Sequence, residues 1–279
     1  MRIAVCLHLF YMDMLSEMAG YINRLEDHPI DLYITMPEEN THFEKSIKAA
    51  FPQARIIVTK NIGFDIYPFL CFLNSIDLDK YDLIVKLHTK KDIPIDCTLN
   101  GFDVNGSKWR DYLFTSVLGS KERINEIIQI FAAQEDVGMI GAQELLIQGD
   151  AVDQDIDMRK VERVMNDCGL KVVKKEFIAG SVFVVKASLF KPLKERNYRT
   201  EEFPPYFPRD WNGLPYCIER LFGCMVSAQG YRLVGIHTTG LPEKPLRINR
   251  KIGKVYLKIF IKKVLPPSVL KYLKKIRKK

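Results

Sequence analysis

Short apolar runs alternate with segments of helical period along most of the chain. The runs suit single strands and lie at residues 2–7, 30–35, 54–59, 83–88, 137–141, 177–185 and 231–236. Helical spacing of apolar residues recurs between them, at residues 12–25, 44–51, 66–73, 109–118, 121–133, 158–168 and 215–227. This alternation favours an α/β fold with a mostly parallel, Rossmann-like sheet flanked by helices.

Two segments lack a clear period. Residues 144–157 contain many acids and are predicted to form a variable loop. Residues 198–211 are rich in aromatic residues and proline, which suits either a lid or a surface loop. Gly180 interrupts the apolar run at 177–185, and a glycine inside a strand often marks a close approach of another group.

The stretch from residue 61 to 92 contains the main group of polar candidate residues. A turn at Asn61 and Gly63 precedes an apolar helix and then the strand at 83–88. Polar side chains follow one another where that strand ends, namely Lys86, His88, Thr89, Lys90 and Asp92. Ligands of open α/β sheets bind outside the carboxyl ends of the strands. We therefore predict a binding crevice at this edge.

Further polar residues belong to the same predicted edge. At or just after the carboxyl ends of predicted strands lie His8, Asn61, Asp65, His88 and His237. In a doubly wound sheet, nucleotides bind at this edge. The set as a whole therefore indicates a ligand site.

Each of these residues also has an ordinary structural interpretation. His8 and His88 can each satisfy the end of a strand. Asp65 can cap the helix that follows it, and Glu219 can form an exposed ion pair with Arg220. Both interpretations of each residue stay open on the sequence alone.

Charge is distributed unevenly along the chain. The net charge is +8, yet residues 244–279 contain 14 Lys or Arg and no Asp or Glu, which leaves residues 1–243 mildly acidic. Lysines flank an apolar face in this tail, a pattern typical of helices on anionic lipid. We predict a membrane-associating tail over residues 241–279, with a nucleic-acid arm or a solvated tail as alternatives. The acidic body argues against nucleic acid.

The remaining composition is that of an ordinary globular protein, with 47% apolar and 27% charged residues. Six cysteines lie apart without a C-x-x-C pair, so neither a zinc site nor a disulfide framework is expected. The amino terminus is interpreted as a first strand and not as a signal peptide. These features predict a cytoplasmic protein, peripheral to the inner face of the membrane.

Several motifs follow one another in unbroken order over about residues 1–240. They are His8-Leu9-Phe10-Tyr11, Asn61-Ile62-Gly63-Phe64-Asp65, Lys86-Leu87-His88-Thr89-Lys90-Lys91, Trp109-Arg110, Ala179-Gly180 with Phe183, and Glu219-Arg220-Leu221-Phe222. In this order the chain resembles the rhamnan synthesis protein F family, which consists of glycosyltransferases or glycosyltransferase-like proteins of bacterial cell-surface polysaccharide assembly. The resemblance implies a GT-A-like domain at 1–240 and a nucleotide-sugar donor. The expected donor is dTDP-rhamnose, with UDP- or GDP-sugars as alternatives.

The resemblance also suggests roles for individual residues. The predicted donor-binding residues are His8, Asn61, Gly63, Asp65, Lys86, His88, Thr89, Lys90 and Gly180. Those predicted to contact the acceptor, or to support residues that do, are Trp109, Arg110, Asp210, Arg220 and His237. The family's pattern is similar to N-R-G-R-D-x-G-P, and here Ile62, Phe64 and Tyr67 replace its two arginines and its second glycine. The loop therefore lacks guanidinium groups suited to phosphate.

The chemistry expected of the site is an inverting transfer without a metal. Ordinary GT-A enzymes end the corresponding strand in Asp-x-Asp, which holds a divalent cation, whereas this strand ends in His88-Thr89-Lys90. Imidazole and ammonium do not suit Mg²⁺, so no metal or other cofactor is expected, and these groups are predicted to neutralise the leaving diphosphate themselves. Glu219 is the predicted base, with Asp210 or Asp65 next.

The acceptor is expected to be a lipid-linked glycan, which the basic tail helps the enzyme to reach. The competing interpretation is a non-catalytic, membrane-peripheral protein that binds sugar nucleotides or acts as a scaffold in the same assembly. Both interpretations predict a nucleotide sugar and an anionic membrane surface as partners, and neither predicts a nucleic acid.

Overall fold

The computed structural model of the chain describes residues 1–94, 96–203, 210 and 212–238. Over this part eleven strands form, which are, in chain order, β1 (Ile3–His8), β2 (Ile30–Pro37), β3 (Arg55–Thr59), β4 (Leu83–His88), β5 (Thr98–Leu99), β6 (Phe102–Asp103), β7 (Val137–Ala142), β8 (Leu146–Gln148), β9 (Glu176–Ile178), β10 (Phe183–Lys186) and β11 (Arg232–Ile236). The α-helices of the same part are α1 (Leu15–Ile22), α2 (Glu44–Ala50), α3 (Ile66–Ser75), α4 (Lys108–Leu118), α5 (Lys121–Ala133), α6 (Met158–Asp167), α7 (Lys191–Arg196) and α8 (Leu214–Ala228).

Seven of these strands form one central sheet in the order β11-β7-β10-β4-β1-β2-β3. All neighbouring pairs are parallel except those of β10, which is antiparallel to both β4 and β7. The carboxyl ends of the six parallel strands therefore meet at one edge of the sheet, together with the amino end of β10. We call this the carboxyl edge. Segments that enter β10 cross it.

The strands form where apolar and β-branched residues follow one another, and the central ones are buried along their whole length. Every residue of β1, β4 and β7 is buried, as expected for parallel strands covered on both faces. Contacts among the helices define two groups: α1, α2, α4 and α5 on the one hand, and α3, α6, α7 and α8 on the other. The predicted α/β fold with a mostly parallel sheet and flanking helices is confirmed.

Two local predictions are wrong. Residues 177–185 do not form one strand, because the chain turns at Gly180 (φ +85°) and Ser181 (φ +49°) and divides into β9 and β10. Residues 144–157 do not form a variable loop, since they include β8, which pairs antiparallel with β9. Both errors arise because strands of three or four residues are too short to show a period.

Other local predictions are confirmed. Ser120 caps α5, its hydroxyl oxygen accepting a hydrogen bond of 3.1 Å from the Arg123 amide. None of the helices in the described part has the length and apolar character needed to cross a membrane. The predicted membrane-associating tail lies outside the described residues, as do residues 204–209 and 211 of the segment at 198–211, for which a lid and a surface loop both stayed open.

Candidate functional site

The ends of β1 and β4 lie side by side at the carboxyl edge. His8 and His88 are direct register partners on these parallel strands. Beyond them Thr89 joins the two loops: its amide donates to the His8 carbonyl (3.0 Å), and its hydroxyl oxygen accepts from the amides of Phe10 (3.1 Å) and Tyr11 (3.0 Å). The threonine in His88-Thr89-Lys90 thus holds the loops after β1 and β4 together.

Both histidines are buried, and burial disfavours the charged form of each ring. Burial lowers the pKa of His8 to about 4, and its Nδ1 lies 3.1 Å from the Thr35 hydroxyl. Burial also lowers the pKa of His88, whose Nε2 lies 2.7 Å from the Gly180 carbonyl oxygen. The neutral ring of His8 can offer its second nitrogen to a ligand but no positive charge. Both ring nitrogens of His88 already face carbonyl oxygens, because its Nδ1 lies 3.1 Å from that of Thr89. The expectation that the imidazole neutralises a diphosphate therefore does not fit His88 in this environment.

A buried ion pair lies directly behind these histidines. The Lys86 ammonium is 1% exposed and contacts Asp65 Oδ2 (2.5 Å), Ser181 Oγ (2.9 Å) and the Ser181 carbonyl (3.0 Å). Burial would raise the pKa of Asp65, but the charge of Lys86 and hydrogen bonds from Lys86 and Ser181 hold it well below its usual range. Asp65 precedes α3 without capping it, because its carboxylate contacts Lys86 and Ser181.

Aromatic rings complete the surroundings of the buried ammonium. The Nζ of Lys86 lies 5.3 Å from the ring centre of Phe69, 6.0 Å from that of Phe183 and 5.8 Å from that of Phe222. Such rings attract a cation through their negative faces. The contacts identified for this ammonium are all with neighbouring protein groups. Lys86 therefore holds Asp65 and Ser181 in place and is not available to a ligand in this conformation.

Gly180 connects this ion pair to α8. Its carbonyl oxygen lies 2.7 Å from His88 Nε2, and its amide donates to Glu219 Oε1 at 2.9 Å. Glu219 Oε2 lies 2.8 Å from Arg220 Nη1, and the Arg220 guanidinium lies 4.6 Å from the ring centre of Phe177. One continuous carboxyl-edge cluster results, which consists of Asp65, Lys86, His88, Gly180, Ser181 and Glu219.

Trp109 and Lys90 border this cluster from α4 and from the loop after β4. The Lys90 ammonium lies 4.4 Å from the Trp109 ring centre. A β-carbon at Gly180 would lie only 2.8 Å from the indole nitrogen, which requires glycine at this position. Arg110 ion-pairs with Asp92 and, at 2.9 Å, with Glu17, so that it ties α4 to α1.

The chain is similar to known proteins over most of its length. A family model described as RgpF, rhamnan synthesis protein F, matches residues 1–231. The chain belongs to this family. It is 27% identical over 244 residues to the uncharacterized protein WxcX of Xanthomonas campestris pv. campestris, in strain B100 and in strain ATCC 33913.

The chain spans about a third of the length of these curated relatives. Each match covers 86% of the chain and 34% of WxcX. A solved structure, described as a crystal structure of a mycobacterial protein, is similar over 68% of this chain and 54% of its own. That likeness has a TM-score of 0.37 and 12% identity.

Three of the predicted residues lie apart from the cluster. Asn61 is exposed and donates to Glu39. Gly63 has φ +63°, and a β-carbon there would lie 2.7 Å from the Phe203 ring, so packing alone accounts for this glycine. Asp210 accepts from the Asn212 amide (2.9 Å) and lies 3.8 Å from the Lys160 ammonium on α6.

His237 lies beside a residue that the sequence did not indicate. It follows β11, and its Nδ1 is 3.5 Å from Oε1 of Glu144, a carboxylate only 1% exposed. Glu144 was part of the predicted loop, where an acid among acids carries no signal of burial. Ser181 was also missed, although a hydroxyl after Ala179-Gly180 at the start of an apolar run was the available hint.

The donor set after β4 does not suit a hard divalent cation. His88, Thr89 and Lys90 precede the first carboxylate, Asp92, and that carboxylate ion-pairs with Arg110. In the described ranges no group of three or more His, Cys, Asp or Glu side chains is placed to hold a metal ion. Independence of metal remains a prediction.

Proposed function

We propose that this chain is a glycosyltransferase of polysaccharide synthesis, with a GT-A-like arrangement and a nucleotide-sugar donor. Membership of the rhamnan synthesis protein F family supports the process. The observation that carries the proposal is the carboxyl-edge cluster. There, two parallel strands end in register, their loops are joined by Thr89, and a carboxylate, Glu219, contacts the adjoining glycine.

The donor would bind across the ends of β1 and β4. Phe10 is 37% exposed directly after β1, and its ring packs edge-on against Tyr11 with centroids 4.9 Å apart, a surface suited to stacking of a nucleobase. Lys90 and the neutral imidazole of His8 would face the diphosphate. In this arrangement the ammonium of Lys90 supplies the charge that stabilises the leaving group.

Glu219 is the proposed base. The acceptor hydroxyl gives its proton to this carboxylate, and the hydroxyl oxygen bonds to C1 of the donor sugar. The bond between C1 and the diphosphate oxygen breaks at the same time, and the nucleoside diphosphate leaves. Both carboxylate oxygens already accept one hydrogen bond or ion pair each, from Gly180 and Arg220. Each oxygen retains a second lone pair for the acceptor.

The donor is proposed to be dTDP-rhamnose and the acceptor a lipid-linked glycan at the cytoplasmic face of the membrane. The basic composition of residues 244–279 supports an anionic surface as the place of action, since each Lys or Arg near such a surface contributes about 1 kcal/mol.

Thermal stabilisation by a panel of nucleotide sugars, with and without excess EDTA, tests the proposal first. We expect dTDP-rhamnose to raise the melting temperature most, and EDTA to leave that shift and the turnover unchanged. Turnover abolished by EDTA and restored by Mn²⁺ would refute metal independence.

Glu219→Gln tests the base. Turnover should fall by about 10²- to 10⁴-fold with the donor-induced shift retained, because general-base catalysis is removed while the shape is kept. Glu162→Gln, on an exposed position of the neighbouring α6, is the matched control and should behave as wild type. Near-normal turnover of Glu219→Gln would move the role to another carboxylate.

A non-catalytic sugar-nucleotide-binding or scaffold protein is the second candidate. The contacts of Glu219 favour it, because both of its oxygens hold protein groups. Donor-induced stabilisation without release of nucleoside diphosphate, in the presence of an acceptor extract, would support this candidate over the enzyme.

A further inference from the structure

A buried carboxylate lies at the carboxyl ends of β7 and β11, outside the carboxyl-edge cluster. Glu144 Oε1 accepts from the amide (2.9 Å) and the hydroxyl (3.0 Å) of Thr238. Its other oxygen, Oε2, is buried and has no hydrogen-bond donor in the described part of the chain. One oxygen therefore holds the end of β11, and the other has an unused acceptor site.

A buried donor without an acceptor lies nearby. The indole Nε1 of Trp109 has no hydrogen-bond partner among the described residues, although the side chain is about nine-tenths buried. The backbone links the segments that carry these two residues. Trp109 packs on Gly180, and the adjoining Ala179 amide donates at 2.9 Å to the carbonyl of Leu145, next to Glu144.

Helix α4, which carries Trp109, also packs on the segment that carries Glu144. It packs against residues 143–145, and Tyr112, one turn after Trp109, has its pKa raised by burial and by the charge of Glu144. An unpaired donor and an unpaired acceptor thus border one region of the carboxyl edge. Leaving a buried polar group without a partner is unfavourable, so a ligand that pairs with both regains that free energy.

We propose that Glu144 and Trp109 form a hydroxyl-binding subsite for the acceptor glycan, on the side of Gly180 away from the donor. A sugar hydroxyl both accepts and donates, so hydroxyls of one sugar can receive the Trp109 N–H and donate to Glu144 Oε2. The assignment rests on the proposed glycosyl transfer, and it adds Glu144 as a residue that contacts the acceptor.

His237 forms the rim of this subsite. Its side chain is 31% exposed and its Nδ1 lies 3.5 Å from Glu144 Oε1, whereas Glu144 itself is closed off from solvent. The acceptor therefore enters through a movement of side chains at His237. The position fits a polyhydroxylated acceptor whose reacting hydroxyl points toward Glu219, since Glu219 and Trp109 both contact Gly180.

Glu144→Gln tests the subsite against Glu176→Gln as a matched control. Glu176 is also buried, in β9, where it accepts from Gln148 at 3.0 Å, and it has no role in the proposed site. The probes are methyl glycosides of rhamnose, glucose, galactose and N-acetylglucosamine. One of them should stabilise the wild type and Glu176→Gln against heat but not Glu144→Gln. Where transfer is measurable, Glu144→Gln should lower acceptor kcat/KM about tenfold to a hundredfold, while Glu176→Gln keeps the wild-type value.

Trp109→Phe keeps an aromatic ring and removes the N–H together with the rest of the five-membered ring. The smaller ring costs some stability through lost packing, but the N–H has no partner among the described residues, and the glycoside-induced shift should fall. A purely structural role predicts a loss of stability with the glycoside-induced shift unchanged, and that result would overturn the assignment. The variant also serves if Glu144→Gln fails to fold.

The two proposals fail separately. If no nucleotide sugar is bound or consumed but Glu144→Gln abolishes glycoside binding, the transferase proposal fails and the subsite stands. If the donor is consumed but no glycoside stabilises the wild type, or if Glu144→Gln and Glu176→Gln behave alike, the subsite is refuted.

Discussion

The two edges of the central sheet hold polar networks of opposite kinds. At the amino edge, Arg2, Asp31, Tyr33, Arg55 and Tyr81 form what we call the amino-edge network. Asp31 Oδ2 accepts from Arg2 Nη2 (2.8 Å) and from the Tyr81 hydroxyl (2.9 Å). That hydroxyl lies 2.8 Å from the Tyr33 hydroxyl, which accepts from Arg55 Nη1 (2.8 Å). The residues belong to regular strands or their immediate ends.

The carboxyl-edge cluster differs in burial and in backbone. Its cation Lys86 is 1% exposed, whereas the side chain of Arg2 is 54% exposed. Its loop includes two successive residues with positive φ, Gly180 and Ser181, one of them not glycine. Burying a charge and straining a backbone are both unfavourable, and folded chains retain them where function requires a set geometry. The contrast indicates that the amino-edge network joins neighbouring strands, whereas the carboxyl-edge cluster holds the residues of the candidate site in a set geometry.

Removing the buried cation should have the largest effect on stability. Lys86→Met leaves Asp65 beside an apolar side chain, so we expect the free energy of unfolding to fall by about 3–5 kcal/mol in urea denaturation. Lys86→Met combined with Asp65→Asn should recover part of that loss, since no carboxylate is then left unpaired. Arg2→Met is the counterpart at the amino edge and should leave the urea midpoint unresolved from wild type. An equal loss at both edges would remove the distinction.

A methyl group on Gly180 should have the next largest effect. Gly180→Ala combines a left-handed φ with a β-carbon 2.8 Å from the Trp109 nitrogen, and we expect a loss of about 2–4 kcal/mol. Gly230→Ala is the matched control, because Gly230 has φ +83° but nothing within 4 Å of an added β-carbon. It should lose only the conformational part, about 1–2 kcal/mol. Similar losses for both variants would show that Trp109 does not press on Gly180.

Mild acid should separate the two edges. His8 has a folded-state pKa of about 4, below the usual 6.5, so between those values the unfolded chain binds a proton that the folded chain does not. Stability therefore falls as the pH falls, by about 2 kcal/mol between pH 7 and pH 5. Chemical denaturation at both pH values measures this. His88, whose pKa is also lowered by burial, adds to the same slope.

His8→Asn should flatten that slope, while His42→Asn, at an exposed position, should not. The amino-edge network contributes nothing to this interval. Burial tends to raise the pKa of Asp31, but hydrogen bonds from Tyr81 and Arg2 outweigh this and lower it, so its contribution is lost only in stronger acid. An unchanged slope in His8→Asn would contradict the burial of this imidazole.

A smaller change should come from removing one hydroxyl at the amino edge. Tyr81→Phe removes one hydroxyl, but Asp31 keeps Arg2 and the Tyr33 hydroxyl keeps Arg55. We expect a loss of about 1 kcal/mol of unfolding free energy, with the donor-induced thermal shift unchanged. A loss of donor binding in this variant would show that the edges are coupled.

Much of the fold could be predicted because its signals are local. The strands β1, β2, β3 and β4 are five to eight residues long and mostly apolar, and α5 begins at a capping serine. The missed parts were short. Strands β8 and β9 have three residues each, and α7 six, so neither period nor caps distinguished them.

The sequence predicted at which edge the residues of the candidate site lie, but not which of them contact one another. That His8 and His88 share one edge follows from their places at the ends of parallel strands. That Asp65 pairs with Lys86 and does not cap α3 depends on how two loops pack across the sheet. No spacing along the chain encodes this pairing.

The sequence by itself determined the order of strands and helices, the edge where polar residues gather, and the family resemblance, because periodicity and motif order are properties of neighbouring residues. Only the tertiary structure decided that β10 runs antiparallel, that Lys86 is enclosed, that burial lowers the pKa of both imidazoles and that Glu144 is buried. Burial and charge pairing depend on residues far apart in the chain, and these set the pKa values and the free hydrogen-bonding groups on which the proposed chemistry rests.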